Sequence, residues 1–188
     1  MPRREDYQLR PIMEKDLGQV LEWRNSARIR AYMYTDHIIT MDEHRAWFER
    51  LQENSFSSFL IFEYRGFPVG IKSFSQIDKQ NNKCYWGFYI GEPDLPRGSA
   101  TLMGVMALEY IFGIHNFRKL CAEAFAFNQA SISYHKRLGF VEEGHFVKHI
   151  LKNGSYENVI SFALFYDDWL RNKDNLEQLC STDSEKKA

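Results

Sequence analysis

Apolar positions along the chain follow two periods, and the switches between them mark out the elements. From Glu14 to Arg28, Leu17, Val20, Leu21 and Ala27 fall on one helical face. Thr40-Met41-Asp42-Glu43 reads as a capping box, so a second helix is predicted after Thr40, with Trp47, Phe48 and Leu51 inward. Shorter runs read as strands: Tyr7–Arg10, Ser58–Glu63, Pro68–Ser75 and the aromatic-rich Cys84–Ile90, with Arg65-Gly66 turning the chain between the second and third. Gly98–Phe112 is a long apolar helix and Lys119–Phe125 a strand. Asn128 caps a helix that runs to Leu138 and stops at Gly139. Val141–Leu151 and Tyr156–Phe165 are strands joined at Asn153-Gly154, a strong hairpin signal. Residues 171–188 are polar and expected to fray. The order β-α-α-β-β-β-α-β-α-β-β predicts an α/β (α+β) chain in which a mixed sheet of about seven strands carries helices on both faces. Residues 1–170 read as one domain.

Composition narrows the function. Of 188 residues, 44% are hydrophobic and 15% aromatic, enough for a sizeable core and a flat-walled groove. A net charge of −1 gives no basic excess for nucleic acid. Cys84, Cys121 and Cys180 are odd in number, far apart and not at metal-site spacing, which points to a reducing, cytoplasmic setting without structural metal. The start has no apolar run, and no stretch reaches the roughly 18 apolar residues needed to span a bilayer, so neither export nor membrane insertion is expected.

Two segments carry candidate chemistry. Gly98-Ser99-Ala100-Thr101 opens a helix with small side chains just after a strand and a proline-containing loop. A helix start presents unpaired N–H groups and partial positive charge, small residues let a pyrophosphate come close, and Arg97 adds a cation. Further on, Asn128 caps a helix that carries Tyr134. A phenol with an ordinary pKa near 10 can protonate a leaving thiolate at neutral pH.

Taken together, Tyr85–Ile90, Gly98-x-Ala100, Asn128, Tyr134 and Gly139-Phe140 resemble the GNAT acetyltransferase superfamily. The resemblance implies acetyl-CoA as co-substrate and no metal. A strand at Trp86–Ile90 would splay from its neighbour through a bulge and pair its backbone at Phe88, Tyr89 and Ile90 with pantetheine. Gly98, Ser99, Ala100 and Thr101 would hold the pyrophosphate. Asn128 and Tyr134 would lie near the sulfur, with Tyr134 as general acid. The position three residues before Gly98, usually Gln or Arg in the family, is Leu95 here, and Arg97 would supply the charge.

Glu22-Trp23-Arg24-Asn25, Ile29-Arg30, Met33, His37-Ile38-Ile39-Thr40 and Glu43-His44 through Trp47-Phe48 resemble one branch, the acetyltransferases of pseudaminic acid biosynthesis. That likeness implies a UDP-linked 4-amino-4,6-dideoxy sugar as acceptor, serving flagellin glycosylation. Arg24, Arg28 and Arg30 suit its phosphates. Met33, Tyr32 or Tyr85 suit a flat base, and His37, His44 and Lys72 are polar groove candidates. The base that neutralises the attacking amine is sought among Glu123, His37 and His44. Pairing of two copies through the late strands is a family-level expectation. Polyamine, aminoglycoside or protein N-terminal acetylation keeps the same fold with another acceptor. A catalytically silent CoA-binding module is the alternative of another class.

Overall fold

The computed structural model describes residues 3–53 and 57–182. Its elements are β1 (Tyr7–Pro11), α1 (Leu17–Asn25), α2 (Ala27–Arg30), α3 (Met41–Glu53), β2 (Ser58–Tyr64), β3 (Phe67–Asp78), β4 (Lys83–Ile90), α4 (Ser99–Leu108), β5 (Lys119–Phe125), α5 (Gln129–Arg137), β6 (Val141–Lys152), β7 (Ser155–Phe165) and α6 (Tyr166–Thr182). The strands form one sheet in the order β1-β2-β3-β4-β5-β7-β6. Every pairing is antiparallel except β4 with β5.

Alternation along the strands fills both faces. Leu60, Phe74, Cys84, Trp86, Leu120 and Phe162 pack towards α4, α5 and α6. Ile61 and Ile71 pack with Leu17, Val20, Trp23 and Ile29 of the first helices. The sheet is thus covered on both sides, as the element order predicts.

Three local differences from the sequence reading have physical causes. The helix expected over 14–28 breaks at Ser26, whose extended ψ of 140° ends α1 and whose side chain caps α2. The apolar helix expected over 98–112 ends as α4 at Leu108 and continues in a π-type segment, Glu109–Ile114. The tail expected to fray is helical to Thr182, because Trp169 and Leu176 are buried in the core. Residues 183–188 and the side chain of Cys180 lie outside what is described. The β6–β7 turn is as expected, with left-handed Asn153 (φ 48°) and Gly154 (φ 83°) between paired Lys152 and Ser155.

Candidate active site

The site follows from one interruption in the sheet. β4 and β5 pair only at Lys83↔Lys119, Cys84↔Leu120 and Tyr85↔Cys121. Beyond Tyr85 they diverge, so the edge of β4 from Trp86 to Ile90 faces no strand. The irregularity that accompanies the splay lies on β3, not on β4. Two residues, Gln76 and Ile77, oppose the single residue Cys84, and Gln76 is left-handed (φ 49°). A cavity of about 940 Å³ fills the gap and extends beneath α2, the 31–40 segment and α3.

On one side stand α4 and α5. Gly98 precedes α4 in a left-handed conformation (φ 91°) that favours glycine. The Ser99 N–H meets Pro96 O at 3.1 Å and the Leu102 N–H meets Gly98 O at 2.9 Å, while those of Ala100 and Thr101 have no carbonyl four residues back within the helix. Ser99 is buried. Its hydroxyl donates to Pro96 O at 2.6 Å and lies 2.6 Å from the Tyr7 hydroxyl, so its side chain braces the turn. Thr101 is buried as well and Arg97 is exposed. Asn128 caps α5 by accepting from Ser131 N at 3.1 Å. Tyr134 is buried, donates to Ala100 O at 3.1 Å and packs against Phe88 with ring centroids 4.3 Å apart. Ala100, Asn128 and Tyr134 line the cavity with Phe88, Tyr89 and Ile90. A splayed strand edge leading to an open helix N-terminus fits a pantetheine chain ending in a pyrophosphate.

Beside Tyr134, His135 is held neutral. Its Nδ1 lies 2.8 Å from Ser131 O and its Nε2 accepts from Trp86 Nε1 at 3.0 Å, which fixes the tautomer. Burial pushes its pKa down to about 4.

The other side carries the acceptor candidates. Arg24, Met33, His37, His44, Tyr85 and Glu123 all line the cavity. Nη1 of Arg24 and Nε2 of His44 are buried without a hydrogen-bond partner. Burial lowers the His44 pKa, and its ring stacks on Trp47 at 4.9 Å. Burial also lowers Arg24. Both cavity carboxylates are engaged. Glu123 accepts from the Tyr34 hydroxyl at 2.7 Å, and Glu43 accepts from Thr40 N at 2.7 Å and sits 3.2 Å from His37 Nε2.

Of the cofactor candidates Arg97, Gly98, Ser99 and Thr101 do not line the cavity, and two acceptor candidates do not reach it. Lys72 is fully buried on the opposite face of β3, with Nζ 2.9 Å from the Trp86 ring centroid, because strand alternation turns it away from Ile71 and Ser73. Arg30 is not part of the wall. Arg28 is, but it is occupied: it donates to Ile90 O at 3.1 Å and Gly91 O at 2.5 Å, bracing the end of β4. Sequence reasoning missed Tyr34, whose bond to Glu123 spans 89 positions and leaves no local signal.

Residues 7–141 match the family described as acetyltransferase (GNAT) domain. The spermidine N(1)-acetyltransferase of Escherichia coli (strain K12) is 24% identical over 170 residues, covering 90% of this chain and 91% of that protein. YokL, an SPbeta prophage-derived uncharacterized N-acetyltransferase of Bacillus subtilis (strain 168), is 29% identical over 127 residues, 66% of this chain and 71% of its own. The spermidine N-acetyltransferase of Vibrio cholerae, solved in complex with CoA and spermine, superposes with a TM-score of 0.83 at 22% identity, covering 88% of this chain and 99% of that one. None of these names carries the amino-sugar acceptor or the flagellin glycosylation that the sequence resemblance implies.

Proposed function

The chain belongs to the acetyltransferase (GNAT) domain family and is an N-acetyltransferase, and on that premise we propose that it acetylates the amine of a small acceptor carrying an anionic group, a UDP-linked 4-amino-sugar. The observation that carries this reading is Arg24, a half-buried cation among the residues that line the cavity. A phosphate oxygen at this wall would meet the guanidinium with a charge-assisted bond. A polycation would meet two arginines in the wall, against two carboxylates, Glu43 and Glu123, that each already accept a hydrogen bond and leave Glu123 with capacity for a single ammonium. With that acceptor the reaction stands in pseudaminic acid biosynthesis.

Acetyl-CoA would lie along the free edge of β4, with its pyrophosphate at the start of α4 around Gly98, Ser99, Ala100 and Thr101 and with Asn128 beside the pantetheine. The cavity would hold both reactants in one volume, which removes the entropic part of a bimolecular barrier. The acceptor enters as an ammonium. Glu123 takes one proton, and the nitrogen lone pair so freed attacks the thioester carbonyl. The C–S bond breaks with its electrons on sulfur, and Tyr134 protonates the thiolate. The second proton lost from nitrogen restores Tyr134, so each turnover releases one proton to solvent.

A second reading is favoured by those relatives that are named spermidine N(1)-acetyltransferases. The deciding experiment measures release of CoA thiol with a UDP-4-amino-sugar and with spermidine in parallel, and mass spectrometry checks each for an added acetyl group. Acetylation of the sugar alone supports the nucleotide-sugar reading. Acetylation of spermidine alone replaces it with the polyamine reading. Acetyl-CoA binding with no transfer to either acceptor removes both.

A further inference from the structure

The acceptor wall includes a strap, residues 31–40, that contains no long helix or strand of its own. Met33, Tyr34, Thr35 and His37 of this strap line the cavity. An irregular segment of this length, with Tyr32 and Ile39 also in the wall, needs outside support to hold six side chains in register. One end is tied by Asn25, whose side-chain amide donates to Ile39 O at 2.8 Å and accepts from Ile39 N at 2.9 Å. The middle is tied from a distant element, the tip of the β6–β7 hairpin. Lys152 Nζ, in a residue only 4% exposed, pairs with Oδ1 of Asp36 and donates to Arg30 O at 3.1 Å. The left-handed Asn153 aims its backbone N–H at Oδ2 of Asp36, 2.9 Å away. Both carboxylate oxygens are thus held by the hairpin, and the lysine also reaches the last residue of α2.

We propose that Lys152 is a positioning residue for acceptor binding: from the hairpin tip it fixes Asp36 and so sets where Tyr34 and His37 stand in the acceptor wall. The inference rests on the reading of this side of the cavity as the acceptor side. A buried lysine whose partner is removed leaves an unmatched charge, so the isosteric apolar Lys152→Met is the informative variant and Asp36→Asn its complement. The acetyl-CoA side shares none of these contacts.

The test has two arms on the full chain. Hydrogen–deuterium exchange without any acceptor should show faster exchange across 31–40 in Lys152→Met and Asp36→Asn, with α4 and β4 unchanged. Kinetics with whichever of the UDP-4-amino-sugar and spermidine is turned over should show the acceptor KM raised by roughly tenfold or more, because ordering the freed strap then draws on acceptor binding, with the acetyl-CoA KM held. The double variant should be no worse than either single one. Unchanged exchange in 31–40 overturns the tie itself. Faster exchange with an unchanged acceptor KM overturns the positioning role and, if the acetyl-CoA KM rises instead, also reassigns this side of the cavity.

Discussion

Gly104 of α4 lies directly under the phenol of Tyr134: a Cβ at position 104 would stand 2.5 Å from the Tyr134 hydroxyl oxygen and 2.5 Å from a Leu138 methyl carbon. The glycine is therefore what lets the hydroxyl settle onto Ala100 O at the start of α4. Gly104→Ala should displace the phenol, at an overpacking cost of about 1–3 kcal/mol, and lower kcat at least tenfold. Paired measurement of Tm and kcat checks this. A lowered Tm with full kcat would show that the position of the hydroxyl is immaterial to transfer.

Tyr134→Phe separates the hydroxyl from the ring. The ring contact with Phe88 is retained, so acetyl-CoA affinity by calorimetry should hold. The proton donor is lost, so kcat should fall by roughly 10²–10⁴-fold. An unchanged kcat would remove Tyr134 from the leaving-group role.

How much of this site was legible in the sequence depended on the range of the interactions. The helix start at Gly98–Thr101 and the cap at Asn128 are local events, written in consecutive residues, and the same spacing brings Tyr134 into view. The splay of β4 from β5 is not local: it follows from a pairing that ends at Tyr85↔Cys121, and only the family resemblance announced it. Lys72 was misread because period-two alternation says which residues share a face but not which face the cavity opens on. Arg28 was misread because its acceptors, Ile90 O and Gly91 O, lie about 60 positions on. The tail was misread because Leu176, one of its sparse apolar residues, joins Trp169 just before it in a core that earlier elements build.

Arg24 tests the acceptor reading on its own terms. Arg24→Met removes a buried nitrogen that has no hydrogen-bond partner, so Tm should not fall. With a UDP-amino-sugar the acceptor KM should rise by roughly 10–150-fold, the equivalent of one hydrogen bond to a charged group at about 1.5–3 kcal/mol. The acetyl-CoA KM should stay where it was. A variant that improves turnover of spermidine instead would point to Arg24 as a repulsive element in a polyamine site.

Lys72 gives a prediction about stability rather than turnover. Its Nζ is buried without a hydrogen-bond partner and rests over the Trp86 ring. Attraction of a cation to the ring is worth about 2 kcal/mol when desolvated, whereas burying an unpaired ammonium costs several. Desolvation therefore wins and holds the amine well below its ordinary pKa of 10.5. The sign follows: as pH falls below that value the unfolded chain takes up a proton that the folded chain refuses, so folding loses stability down to the folded-state pKa. Lys72→Met, similar in shape and uncharged, escapes this loss. It should melt higher than the parent at pH 7, by about 2–4 °C for each kcal/mol at this chain length, and the gap should narrow towards pH 10. Because Lys72 is not part of the cavity wall, kcat should not change. Thermal melts at the two pH values settle the matter, and a methionine variant that melts lower at pH 7 would mean that the amine is charged and partnered in solution.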